Sequence, residues 1–166
     1  MSETYLIALG SNMRVPGIGP PRAVLSALPQ MFVQEGLHVN ATAPAIGSDP
    51  IGPSIRRYAN GAMVIETDLL PPDLLALLQS IERRFGRTRA QRRGQRWRAR
   101  ALDLDIILWS GGVWASPDLI IPHKEMRGRD FVLDPASAIA RHWRDPVTGL
   151  TLGQLSARLA RKRKGA

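Results

Sequence analysis

Residues 83–100 read RRFGRTRAQRRGQRWRAR, nine arginines in eighteen positions with no acid among them. A stretch so charged cannot enter a core, because guanidinium groups never lose their proton and repel one another unless an anion lies between them. With Gly86 and Gly94 inside or beside it, the stretch reads as a mobile loop, and the fold must be built from the segments on either side. It also accounts for the whole charge imbalance. The chain carries 23 basic and 14 acidic residues, a net charge of +9, and outside this stretch the two signs cancel. Arginine supplies all but three of the basic residues, which favours bidentate recognition of phosphate over a merely solvated face.

The segments on either side have clear periods. Leu74, Leu77, Leu78, Ile81 and Phe85, after Pro71-Pro72, follow the i, i+3, i+4, i+7 rule and predict a helix. Beyond the loop, residues 101–109 alternate as a strand, with Leu102, Leu104, Ile106 and Leu108 against Asp103, Asp105, Ile107 and Trp109. Upstream, residues 5–9 form an opening strand ended by Gly10-Ser11-Asn12. A helix starts at Pro20-Pro21, carries Val24, Leu25 and Leu28, and ends near Pro29. Residues 37–45 predict a second strand, 44–53 a Pro/Gly-rich loop, and 60–67 a third strand on which Tyr58, Asn60, Ala62 and Val64 share a face. Ser110-Gly111-Gly112 and Leu119-Ile120-Ile121 predict a hairpin, and residues 151–161 a closing helix. The order is β-α-β-β-α-β plus additions. It predicts an α+β, ferredoxin-like core, a mainly antiparallel sheet with helices against one side, and an added hairpin and C-terminal helix. All 166 residues read as one domain, with residues 161–166 a disordered basic tail.

Composition removes several kinds of chemistry. There is no cysteine, so a disulfide framework, a thiolate zinc site, an iron–sulfur cluster and a cysteine nucleophile are excluded. An apolar content of 44% rules out global disorder. The first residues do not read as a signal peptide and no run of eighteen apolar residues occurs, so the expected compartment is the cytosol. No Walker A or Gly-x-Gly-x-x-Gly motif supplies a backbone phosphate cradle. Nothing demands an oligomer, and a monomer is expected.

What remains is a constellation of anion- and cation-binding groups. Asp103 and Asp105, two apart on a strand, emerge from one face roughly 7 Å apart and could bracket a magnesium ion together with substrate phosphates. They could equally be solvated edge-strand carboxylates. The arginines admit three readings: a solvated run, a nucleic-acid patch with Trp97 stacking a base, or a loop over nucleotide phosphates, where Arg87, Arg89 and Arg100 would neutralise charge. His123, beside Arg127 and Arg129, is a structural histidine or a donor to phosphate. Tyr58 and Asn60 are core-edge residues or the complement of a flat heteroaromatic ring, on which Phe131 could stack.

In this order the pieces resemble the 6-hydroxymethyl-7,8-dihydropterin pyrophosphokinase family of folate biosynthesis. The matching elements are Gly10-Ser11-Asn12, Tyr58-Ala59-Asn60, Glu66-Thr67, Ile81-Glu82, Gly86-Arg87, Trp97 with Arg100, Leu102-Asp103-Leu104-Asp105-Ile106, and Pro122-His123 followed by Met126, Arg129 and Phe131. The resemblance implies transfer of pyrophosphate from ATP to the pterin hydroxymethyl group, releasing AMP, with two magnesium ions held by Asp103 and Asp105. It implies that Arg87 and Arg100 act on the phosphates and that Gln79, Glu82, Arg89, Trp97, Ile106, His123 and Arg129 line the ATP site. Tyr58, Asn60 and Phe131 would form the pterin pocket, with residues 48–52, Ser48 and Ile51 among them, at its edge. The arginine-rich segment would be a loop closing over ATP. The family's common Trp-Gly-Pro-Arg reads Trp97-Arg98-Ala99-Arg100 here, and Lys124 follows Pro122-His123 where an aromatic or proline is frequent. The small-molecule substrates so implied compete with a second reading, a nucleic-acid-binding protein without membrane association.

Overall fold

The computed structural model describes residues 1–48, 57–86 and 101–165. Strand β1 (Glu3–Ser11) lies at the centre of a sheet. It pairs antiparallel with β4 (Tyr58–Thr67) on one side and β5 (Asp103–Trp109) on the other. β2 (His38–Thr42) and β3 (Ile46–Ser48) pair with successive lengths of the far edge of β4, giving the order β2-β4-β1-β5. With α1 (Pro21–Gln34) between β1 and β2 and α2 (Pro71–Arg84) between β4 and β5, the core is the expected β-α-β-β-α-β arrangement. β3 falls within the expected 44–53 loop. β4 is ten residues long, so the five residues of β2 leave part of its edge unpaired, and β3 takes up those groups.

Tyr5, Ile7 and Leu9 of β1 face α1 and α2, meeting Val24, Leu25, Leu28 and Phe32 from one helix and Leu74, Leu78 and Ile81 from the other. Each fully buried side chain there contributes about 1.5–3 kcal/mol. That gain carries α1 past Pro29, where the sequence predicts its end: Phe32 continues the buried face one turn beyond Leu28, which offsets the backbone bond that a proline removes.

Helices cover both faces of the sheet rather than one. α3 (Asp130–Ala140), which the sequence reading did not foresee, and α4 (Leu152–Lys164) bury Val132, Leu133, Ala136, Leu152 and Leu155 against Leu6, Ala62 and Leu108 on the opposite face. β5 departs from simple alternation for a related reason. The register slips between Leu6 and Ile7, leaving Ile107 outside the pairing, so Leu104 and Ile106 face α2 while Ile107 and Leu108 both face α3 and α4. A hairpin forms from β6 (Trp114–Ser116) and β7 (Leu119–Ile121), turning at residues 117–118, while the expected turn at 110–112 joins β5 to β6 instead.

The basic cluster expected as a disordered tail is the last turn of α4, helical through Lys164 and solvent-exposed. Thr151 and Gln154 form a reciprocal capping box at its start. The four basic residues from Arg161 to Lys164 then complement the negative end of the helix dipole. Among the described residues no helix is long and apolar enough to cross a membrane.

Candidate active site

The site begins as a row across three strands. Asn60 of β4 pairs with Gly10 of β1, and Gly10 pairs in turn with Asp103 of β5. Two residues along, Ala62, Ala8 and Asp105 form a second row. Because the middle strand contributes only Gly10 and Ala8, the carboxylates and the amide border an open floor. A Cβ built on Gly10 would sit 3.8 Å from Asn60 Oδ1 and 3.9 Å from Asp103 Cβ. Over this floor lies a cavity of about 480 Å³, walled by the segment from His123 to Val132. Its volume is in the range of small-molecule and cofactor sites.

One wall suits a planar ring. Asn60, 4% exposed, donates from Nδ2 to Ser48 Oγ at 2.7 Å, which orients its amide. Ser48 pairs with Tyr58 across β3 and β4, and Tyr58 and Phe131 both line the cavity.

The other wall carries charge. Asp103 and Asp105 emerge on the cavity side of β5, while His123, Lys124 and Arg129 approach from the segment that follows β7. The His123 amide donates to the Ile107 carbonyl at 3.0 Å, so the residue released from the ladder by the register slip docks this segment on the sheet. Nδ1 of His123 accepts the Glu125 amide at 3.2 Å, which leaves the proton of the neutral ring on Nε2. Burial, and then the positive charge of Arg129, hold the His123 pKa below its usual value against the opposing pull of Asp103. The ring is therefore neutral at pH 7. Arg129 pairs with Glu125, and its guanidinium lies 5.7 Å from the Phe131 ring centroid. Arg127 does not join them. It is bound bidentately to the buried Asp145, at 2.6 and 2.9 Å.

Of the candidates named from sequence, Asp103, Asp105, His123, Arg129, Ser48, Tyr58, Asn60 and Phe131 line this one cavity. Gln79, Glu82 and Ile106 do not. Gln79 is exposed on α2, Ile106 is 2% exposed in the core under α1 and α2, and the buried Glu82 accepts the Leu104 amide at 2.9 Å. Ile51, Arg87, Arg89, Trp97 and Arg100 lie outside the described residues. The buried Ser11 donates to the Ala101 carbonyl at 2.6 Å, pinning the chain just ahead of the two aspartates. Sequence reasoning assigned no site role to Gly10, Ala8, Lys124 or Glu125. The signal for the last two was adjacency to Pro122-His123, and for the first two only strand register.

Magnesium takes oxygen ligands and commonly keeps waters and substrate phosphates beside one or two carboxylates. Among the described residues no group of three or more histidines and carboxylates could enclose a metal. The Asp103 and Asp105 pair on one cavity wall fits an ion that arrives with a phosphorylated ligand, not an all-protein cage.

Comparison with known proteins gives the family. The family model described as 7,8-dihydro-6-hydroxymethylpterin-pyrophosphokinase (HPPK) matches residues 6–141. The chain is 39% identical over 138 residues to 2-amino-4-hydroxy-6-hydroxymethyldihydropteridine pyrophosphokinase of Haemophilus influenzae, covering 82% of this chain and 81% of that protein. The enzyme of the same name from Bacillus subtilis is 32% identical over 167 residues, covering 99% of this chain and 95% of the relative. In fold, the chain resembles the HPPK-DHPS protein of Plasmodium falciparum with a TM-score of 0.74 at 12% identity, over 99% of this chain and 46% of that longer one. The chain belongs to the 7,8-dihydro-6-hydroxymethylpterin-pyrophosphokinase family.

Proposed function

We propose that the protein transfers the β,γ-pyrophosphate of ATP to the hydroxymethyl group of 6-hydroxymethyl-7,8-dihydropterin, giving the pterin diphosphate and AMP in folate biosynthesis. The observation that carries this reading is the single cavity in which a ring-complementary wall of Asn60, Ser48, Tyr58 and Phe131 faces Asp103 and Asp105 across the small floor of Gly10 and Ala8. The substrate hydroxyl oxygen bonds to the β-phosphorus, the bond from that phosphorus to the α–β bridging oxygen breaks, and AMP leaves with the bridging oxygen. The hydroxyl proton passes to water.

Each wall has its own task. Asn60, oriented by Ser48, presents its carbonyl oxygen to ring N–H groups, and Tyr58 and Phe131 offer apolar faces. His123, neutral with its proton on Nε2, donates to a phosphate oxygen, and Lys124 and Arg129 supply positive charge to the same chain. Arg87, Arg89 and Arg100 of the arginine-rich segment add guanidinium groups for charge that develops on the transferring oxygens, and Trp97 and Ile51 join the nucleotide and pterin sides respectively. Asp103 and Asp105 would hold the two magnesium ions, which when bound would neutralise phosphate charge and favour ionisation of the hydroxyl.

A nucleic-acid interface in this cavity is disfavoured by the same two carboxylates, which repel a phosphate backbone. The deciding experiment measures AMP and ADP from ATP and magnesium with and without the pterin. AMP that depends on the pterin, with no ADP, establishes pyrophosphoryl transfer. ADP, or AMP formed equally without pterin, overturns it.

A further inference from the structure

A second cavity, of about 390 Å³, lies at the other end of the α3–α4 layer. Arg141 follows α3, whose eleven residues span about 16 Å from Asp130, beside the pterin wall, to Ala140. The two cavities share no residue.

Helix α4 divides its faces by spacing. Leu152, Leu155 and Leu159 face the core, while Ser156 and Arg163 bond to Asp134 and Asp130 of α3. The third face, carrying Gln154, Ala157, Arg158 and Arg161, is turned to the cavity, with Arg141 and His142 opposite. Among the described residues Arg141, Arg158 and Arg161 form no ion pair, and no acidic side chain lines the cavity. Three arginines lining one cavity without a counter-charge raise its positive potential, which a bound anion lowers.

The cavity is shaped by a glycine. A Cβ at Gly153 would come within 2.9 Å of Arg141 Cγ, so glycine alone leaves room for the arginine stem to lie across the first turn of α4. The helix start is not itself the anion site, because its amides are occupied: Leu152 donates to the Trp143 carbonyl, Gly153 to the Arg141 carbonyl and Gln154 to Thr151 Oγ. Side chains must do the binding. Among the described residues no Trp, Tyr or Phe lines the cavity, and His142 is its one ring.

We propose that Arg141, Arg158 and Arg161 form a binding site for a small ligand bearing a chain of two or more phosphates, separate from the cavity that holds Asp103 and Asp105. Guanidinium forks match successive phosphate oxygens, and the cavity is large enough for a triphosphate.

The test titrates inorganic tripolyphosphate into the full-length protein at 0.15 M salt and follows the backbone amide signals of Gly153, Gln154 and Ala157, which report this cavity and not the other. Saturable shifts are expected, with affinity falling about tenfold in each of Arg158→Ala and Arg161→Ala and less in the corresponding lysine variants. All three arginines are exposed, so these variants keep the fold, and pterin-dependent AMP formation stays at the level of the unaltered protein. Shifts that survive both alanine substitutions, or that sulfate reproduces at equal concentration, overturn the proposal. So does a single-stranded oligonucleotide that binds these arginines and is not displaced by tripolyphosphate, an outcome that makes the face a nucleic-acid surface.

Discussion

The Glu82 carboxylate, in the last turn of α2, accepts the backbone N–H of Leu104 at 2.9 Å, midway between Asp103 and Asp105. Among the described residues β5 ends the sheet, so one of its edges has no neighbouring strand there, and Glu82, 4% exposed, satisfies the Leu104 amide. Glu82→Ala leaves a buried donor without its acceptor and is expected to cost about 1–3 kcal/mol, whereas Glu82→Gln retains a carbonyl oxygen and costs less. Urea midpoints at constant slope measure both. Equal midpoints for Glu82→Ala and the unaltered protein would remove the carboxylate's supporting role.

Asp103 and Asp105 lie on the cavity side of β5, opposite the buried Leu104. Replacing either by alanine takes no apolar packing away, so melting should stay close to that of the parent. AMP formation should fall by on the order of 10³-fold, as expected when several kcal/mol of transition-state charge stabilisation is lost. Turnover near the parent level in either variant at saturating magnesium would sink the assignment of both residues as metal holders.

Gly10 tests the floor. A Cβ there meets only ordinary contacts at 3.8–3.9 Å, so Gly10→Ala should fold and retain activity. Gly10→Leu puts a branched side chain between Asn60 and Asp103, and pterin binding followed by ring fluorescence should weaken at least about tenfold without unfolding. Pterin affinity unchanged in the leucine variant would show that the ring binds elsewhere.

The sequence made some of this visible and hid the rest for identifiable reasons. Periodicity exposed α2 and the pairing of Asp103 with Asp105, because both are local patterns. Pro29 misplaced the end of α1, since local propensity carries no information about the core that Phe32 enters. Ile107 broke the alternation of β5 through a register slip set by β1, a hundred residues away in sequence. α3 escaped notice because Pro135 lies inside it and its apolar face is short. In the site, motifs named the residues, but only register could show that Asn60, Gly10 and Asp103 stand in one row. Arg127, counted from sequence among the groups around His123, is committed to Asp145 instead.

That commitment gives a pH dependence. Asp145 is fully buried, and its oxygens accept from the Arg127 guanidinium, the Val147 amide and the Thr148 hydroxyl. Burial pushes the carboxyl pKa up, but these donors outweigh it and hold the pKa below the ordinary value. A carboxyl whose pKa is lower in the folded state stabilises the fold above its unfolded pKa, about 3.9, and loses that contribution as pH falls through the folded value. Asp145→Asn keeps shape and one acceptor but no charge. Its stability deficit should be full at pH 6 and shrink as pH drops below about 4, because the parent carboxyl then becomes protonated as well. Asp145→Ala, which strands Arg127, should cost roughly 3 kcal/mol at pH 6. Because Arg127 belongs to the turn between His123 and Phe131, the loss should also raise the KM for ATP. Urea midpoints from pH 6 to pH 3 decide the matter: an Asp145→Asn deficit constant across that range would mean that the ionised carboxylate contributes nothing to the fold.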